Sequence, residues 1–473
     1  MASCGAHHMA VVTECGNGSS HLDRILTLCS FCTLDGVVCA CTLGRVLCAP
    51  ATERSRSCIP VWAWGSNSDG QCGTAGTCSR SACVASHQFS TREAQQRHAV
   101  EHTPRRVCFG GAPMSLDASH DPDLVAAARL ITAGQRHDRG EEKMAMVSCG
   151  GGHSAAVSDS GKLWAWGDDE YGQLGLISQG LRDSVSLEEF AALEYFGLHP
   201  RETPTLVAHF SDMPVLMVAC GWEHTCAVTR EGAAFSWGNA ADGRLGHGDV
   251  LDTRPDTKSS LCRTPKRILA LEHVCIVLVG CGDKHSVAVS ACGSLFSWGS
   301  GKHGQLGHPP PEDTQGELFE DLSRDLDLPL QVKPEYFGAD GSSGTVVFAA
   351  CGDAFTGAIT GHGLLYMWGC NSCGQLGLGH CVSCLSPREI SPALFDDDKV
   401  VSVALGQSHA AAVSLSQRLY VWGGNGWGQL GLGDEDDRHT PVSIDVDALQ
   451  GEAIIQVIFH QSDPRALASR GPP

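Results

Sequence analysis

Short apolar runs of four to six residues, separated by glycine-bearing turns, follow one another along most of the chain. Runs such as Ala155-Ala156-Val157 and Leu163-Trp164-Ala165-Trp166 are too short for helices and predict β-strands. One composite pattern returns six times: VWAWGSNSDGQCG at 61–73, LWAWGDDEYGQLG at 163–175, AFSWGNAADGRLG at 234–246, LFSWGSGKHGQLG at 295–307, LYMWGCNSCGQLG at 365–377 and LYVWGGNGWGQLG at 419–431.

A second pattern precedes each of these. It reads CGAHHMAVVTECG at 4–16, CGGGHSAAVSDSG at 149–161, CGWEHTCAVTREG at 220–232 and CGDKHSVAVSACG at 281–293. At 351–363 it reads CGDAFTGAITGHG, with Phe355 in place of histidine, and at 405–417 LGQSHAAAVSLSQ. VIFHQSDPRALASRG, at 457–471, keeps the apolar positions but not Cys-Gly-His. Trp64, Trp166, Trp237, Trp298, Trp368 and Trp422 lie 102, 71, 61, 70 and 54 residues apart. The shortest spacing approximates the unit, and about fifty residues is the scale of a propeller blade. About four strands cannot bury both faces alone, so neighbouring units must stack around a ring. Small Cys, Ala and Gly suit strands near the axis, and large Trp suits the wider gap between blades.

The combination of C-G-x-x-H-[ST] with W-G-x-N-x-x-G-Q-L-G resembles the regulator of chromosome condensation family, whose fold is a seven-bladed β-propeller. The resemblance covers six units and about half of a seventh. It implies an all-β propeller spanning 1–473, with units near 1–73 (carrying an insertion at 17–60), 147–175, 215–246, 276–307, 346–377 and 400–431, and a partial one at 454–471. Seven blades with one incomplete is the favoured closure, and six closed by the C-terminal strands is the alternative. The first unit is expected to lack its initial strand. Residues 74–146, 178–212 and 308–344 read as further insertions, partly helical or disordered, with a capping box at Ser186–Glu189 opening a helix through Phe196.

Composition narrows the function classes. Charged residues are 18% and hydrophobic residues 42%, which favours a globular chain. Lys+Arg is 33 against Asp+Glu 53, a formal net charge of -20. Such a surface repels phosphates, so non-specific binding of nucleic acid or anionic membrane is not expected. Ile25–Gly44 has the length of a membrane span, but Asp35 at its centre argues against one. No basic n-region opens the chain, so the 24 cysteines are expected to be mostly reduced and buried, in the cytoplasm or nucleus.

No catalytic set, cofactor or metal is assigned. His8, His153, His224, His285 and His409 recur blade after blade, as a packing residue does and a single active site does not. Cys370-x2-Cys373 and Cys381-x2-Cys384 are metal-like, but the intervening segment is short. Cys78, Cys83, His98 and His102 form a second such set, with Thr91–His102 read as a helix. There is no P-loop, Rossmann fingerprint or nucleophile elbow.

Partner-binding residues are sought where the units differ. In a four-strand meander, turns one and three share one rim. That rim would carry Tyr171, Trp222, Glu223, Asp242, Asp283, Lys284, Asp353 and Trp427. The long insertions are expected on the opposite rim. The expected function is a non-enzymatic propeller that binds a protein partner. The resemblance implies an alternative, guanine-nucleotide exchange on a Ran-type small GTPase.

Overall fold

The computed structural model describes residues 144–176, 203–248, 261–309, 324–338 and 344–444, and the backbone of strands at 2–4, 8–12, 32–34, 37–39, 61–66, 100–107 and 201–202. Six four-stranded antiparallel sheets are present among these residues, each a simple meander in chain order. The only helical elements described are short 3-10 turns, such as Ala208–Phe210 and Pro392–Phe395. The partial unit at 454–471, the helix expected from Ser186, and most of 17–60 lie outside the described residues.

The first sheet corrects one expectation: an initial strand is present, Ala2–Cys4, paired with His8–Val12. Within 17–60, Cys32–Leu34 and Val37–Cys39 pair as a hairpin around Asp35-Gly36. Asp-Gly between alternating strands is a tight-turn signal. No helix among the described residues is long and apolar enough to cross a membrane. Val100–Val107 is a strand, so His102 does not share a helix face with His98.

Each sheet follows the same physical plan. The second strand is buried on both faces in all five fully described sheets, as at His224–Thr229. The first strand has a register shift at its second residue, as between Val215 and Met217. The fourth strand is the polar outer one. It carries proline at Pro204, Pro265, Pro329, Pro387 and Pro441, where an edge tolerates a missing N–H. Its pairing is interrupted by a bulge in every case, as between Ser236 and Gly238. The chain then returns along a Val or Ile whose N–H bonds to the start of the third strand, as Ile268 to Ala234 at 2.9 Å. A buried Phe210, Phe337 or Phe395 follows and packs on the tryptophan of a neighbouring strand, for example Phe337 on Trp368 at 6.2 Å between ring centroids.

Adjacent sheets are locked by a repeated polar relay. The backbone carbonyl of Gln173 accepts both the Trp237 indole N–H at 2.8 Å and the Thr225 hydroxyl at 2.7 Å. That hydroxyl's proton is committed, so its oxygen accepts from His153 Nε2 at 2.8 Å, which fixes the imidazole tautomer. The relay repeats as His224–Ser286–Arg244 carbonyl–Trp298 and as His285–Thr356–Gln305 carbonyl–Trp368. At the next junction Phe355 replaces the histidine and Ala410 replaces the hydroxyl, so donor and acceptor are lost together. Trp422 still donates to the Gln375 carbonyl at 2.9 Å. The histidines are therefore structural.

The relay explains the glycine of C-G-x-x-H. A Cβ at Gly221 would lie 2.3 Å from the His224 ring and 2.7 Å from the Gly282 carbonyl of the next sheet. We expect Gly221→Ala to destabilise the fold by about 2–3 kcal/mol through overpacking. Gly426→Ala, with nothing within 4 Å of its Cβ, should change little. Equal urea midpoints for the two variants would contradict the packing described.

Burial holds His153 and His285 at about 3, against an ordinary 6.5, and pushes His224 down in the same direction. The unfolded chain binds protons at these groups below pH 6.5 and the fold does not. Stability contributed by the neutral imidazoles is therefore complete above pH 6.5 and is lost as pH falls towards 3, at about 1.4 kcal/mol per pH unit for each group. Urea midpoints measured from pH 7 down to pH 5 should drop. His285→Phe with Thr356→Ala, copying the Phe355–Ala410 junction, should flatten the slope; an unchanged slope would exclude this origin.

Candidate functional site

Turns one and three of each sheet are tied to one another. Asn239 N–H bonds to the Glu223 carbonyl at 2.9 Å, and Ser300 to that of Lys284 at 2.8 Å. Turn two lies at the other end, tied to the next sheet's first strand, as Gly232 carbonyl to Ile276 N–H at 3.0 Å. The chain between third and fourth strands is long in four sheets, running from Ser66 to Val100, Gly167 to Arg201, Asn239 to Leu261 and Gly299 to Leu326. These insertions thus leave from the rim of turns one and three, contrary to the expectation that they share the opposite rim. Three outer strands, Val100–Val107, Arg201–Leu206 and Leu326–Gln331, were hidden inside the supposed insertions because each is interrupted by a proline.

On this rim the backbone is held while one side chain varies. The residue before G-Q-L-G is Tyr171, His303, Cys373 or Trp427, and its N–H bonds to the following Gln side chain at 2.8–2.9 Å in each case. In the third sheet the glutamine is replaced by Arg244, and Asp242 stands in the left-handed region at φ 57. Arg244 is buried, 2% exposed. It pairs with Glu223 at 3.3 Å and Asp242 at 3.0 Å, and Asp242 also takes Lys302 from the next sheet at 3.3 Å. Asn239 donates to the same Glu223 oxygen at 2.7 Å.

The network extends both ways. The Glu223 charge, with partial burial, raises the Tyr171 phenol above its ordinary value. The Arg244 guanidinium reaches the Asp283 carbonyl at 3.5 Å. Burial raises the Asp283 carboxyl, opposed by Lys284. Burial, and then the Asp283 charge, raise Asp353 to about 7. Six of the eight expected residues, Tyr171, Glu223, Asp242, Asp283, Lys284 and Asp353, thus meet in one chain of interactions across adjacent sheets. The other two stand apart. Trp222 is half-buried with its ring over Gly151 of the preceding sheet, where a Cβ would meet it at 3.0 Å. Trp427 is 52% exposed on the sixth sheet. Sequence reasoning missed Arg244 and Lys302; the signal for the first was the lone G-R-L-G among G-Q-L-G turns.

All twelve described cysteines are free, but only Cys149, Cys220, Cys226 and Cys281 are buried, so burial of most thiols is corrected. Cys275, Cys292 and Cys381 are exposed because they sit in turns. Cys370, Cys373, Cys381 and Cys384 do not gather: Cys370 faces Ser372 at 3.7 Å, and Cys381 faces His439 at 3.5 Å. Cys78, Cys83 and His98 lie outside the described residues.

Comparison with known proteins follows from this geometry. The model of the RCC1-like domain matches residues 132–471. The chain is 32% identical to the ultraviolet-B receptor of Arabidopsis thaliana over 322 residues, covering 68% of this chain and 62% of the receptor. It is 31% identical to the secretion-regulating guanine nucleotide exchange factor of Mus musculus over 287 residues, 60% of this chain and 53% of that protein. The chain therefore spans less than two thirds of the length of these relatives. Among solved structures, Prp20p from Saccharomyces cerevisiae, described with its binding to Gsp1p and histones, superposes with a TM-score of 0.57 at 22% identity, covering 85% of this chain and 76% of that one. That likeness shows the fold alone.

Removing the buried cation of the rim network should be costly. Arg244→Met leaves Glu223 and Asp242 facing each other, and we expect a loss of about 2 kcal/mol, discounted for their partial exposure. Arg244→Gln restores the side chain of the other sheets and should lose less. The comparison is made by urea denaturation; a Gln variant as unstable as the Met variant would contradict the ion-pair account.

Proposed function

We propose that this chain, which belongs to the RCC1-like domain family, acts as a non-enzymatic propeller that holds a protein partner on the rim of turns one and three. The observation that carries this reading is the ion network running from Tyr171 through Glu223, Arg244, Asp242 and Asp283 to Asp353. Such a frame fixes charged side chains in place on an otherwise repetitive surface, and pre-set charges give a partner orientation and a fast encounter. Lys284 is exposed beside it, and Trp427 offers an exposed aromatic anchor on the same rim. The chain's net charge of -20 favours a partner with a basic face.

A second reading, guanine-nucleotide exchange on a Ran-type small GTPase, is favoured by the likeness to a secretion-regulating guanine nucleotide exchange factor. Fold likeness alone does not carry that activity. Release of labelled GDP from a purified Ran-type GTPase separates the two: acceleration of about tenfold or more would add exchange to binding.

For the rim itself, Trp427→Ala should leave the melting temperature nearly unchanged, because that side chain faces solvent. It should weaken partner binding by about 2 kcal/mol, the weight of a typical anchor. Trp222→Ala, by contrast, should lower stability, because its ring covers Gly151. Unchanged capture of partners by the folded Trp427→Ala variant would move the interaction away from this anchor.

A further inference from the structure

At three junctions the sheet that carries the histidine is followed by a sheet whose first strand ends in cysteine: His153 before Cys220, His224 before Cys281, and His285 before Cys351. Two residues after the histidine, the second strand places a further side chain on the same face. That residue is Ala155 in the second sheet, Val287 in the fourth, Gly357 in the fifth and Ala411 in the sixth. In the third sheet alone among these it is Cys226. At that one junction His224, Cys226 and Cys281 bring an imidazole nitrogen and two sulfurs within 4.8 Å of one another.

We propose that His224, Cys226 and Cys281 form a binding site for a soft monovalent cation, copper(I). Three donors around one ion, at bonds of about 2.0–2.3 Å, stand roughly 3.5–4 Å apart. Donors already within 4.8 Å therefore need only a small inward movement. Two sulfurs and an imidazole, with no oxygen donor, select a soft ion. A closed zinc site takes four ligands in a tetrahedron, and among the described residues no fourth His, Cys, Asp or Glu atom joins this group.

The surroundings supply what a closed site needs. His224 and Cys226 are 0% exposed and Cys281 is 8% exposed. The His224 Nδ1 is buried without a partner. The Cys281 thiol donates to the Ala219 carbonyl at 3.5 Å, so it carries its proton in the free protein. Binding forms two copper–thiolate bonds as both sulfurs' protons leave to solvent, the imidazole donates a lone pair, and copper stays cuprous. Two protons are released for each Cu⁺ bound, so affinity at the site rises with pH.

The test uses the reduced full chain under anaerobic conditions, titrated with copper(I) against a chromogenic copper(I) chelator. Other thiols also bind copper, so the quantity read is the difference between the wild type and Cys226→Ala. Alanine occupies this position in two other sheets, so the variant should fold, which circular dichroism checks. We expect the wild type to retain one more equivalent than the variant, with affinity at that site reduced more than about 100-fold, beyond what loss of an outer partner gives. That equivalent should raise the melting temperature of the wild type and not of the variant. A control variant, Cys275→Ser with Cys292→Ser and Cys381→Ser, should keep it. Identical retention by wild type and Cys226→Ala, or loss of the equivalent in the surface-thiol control, would overturn the proposal.

Discussion

The backbone carbonyl that precedes leucine in each G-Q-L-G turn is the joint on which the ring depends. It accepts an indole N–H from the next sheet and, at the three junctions with a histidine, also a hydroxyl that in turn accepts from the buried imidazole. Buried polar groups are tolerable only when satisfied, so each member of the relay requires the others. The relay also dictates small residues around it. The last glycine of the turn seats the neighbour's tryptophan, with a Cβ at Gly175 falling 2.6 Å from Trp237 Nε1. The conserved look of each unit is thus the footprint of one inter-sheet contact, and hydrophobic burial of Trp237, Trp298, Trp368 and Trp422 adds the bulk of the energy.

With the backbone held by that contact, the rim is free to differ. The side chain before each G-Q-L-G turn makes no demand on the frame, which is why tyrosine, aspartate, histidine, cysteine and tryptophan all stand there. Arg244 shows how far the freedom goes. Its carbonyl still performs the structural task for Trp298 and Ser286, while its side chain gathers Glu223 and Asp242. One residue thereby serves the ring through its backbone and the surface through its guanidinium.

The strands, the turns and the structural role of the repeated histidines were legible because each rests on a local pattern repeated in register. The pairing of Phe355 with Ala410 was also present in the sequence, but only as a relation between two units. Neither residue signals anything alone. The outer strands were not legible. Arg201–Leu206 has no apolar run, and the alternating leucines of Leu326–Gln331 are broken by Pro329, with Leu328 and Leu330 about half exposed, so their content read as insertion. That error moved the long loops to the wrong rim. Six of the rim residues lie in turns one and three of adjacent sheets, because turn position follows from counting strands. Trp222 was misjudged because its burial comes from Gly151, 71 positions away, and no local pattern records that contact.

The prolines of the outer strands set how such a chain can change in size. A strand that lacks donors at a fixed position, and that is bulged beside it, offers no continuous row of partners to a fifth strand. A sheet of this kind cannot widen, and two molecules cannot zip together along their perimeters. Growth is confined to two routes: another complete sheet inserted between neighbours, or more chain in the turns. The segments between Asn239 and Leu261 and between Gly299 and Leu326 follow the second route. The perimeter stays closed to polymerisation while the flat ends remain open to elaboration.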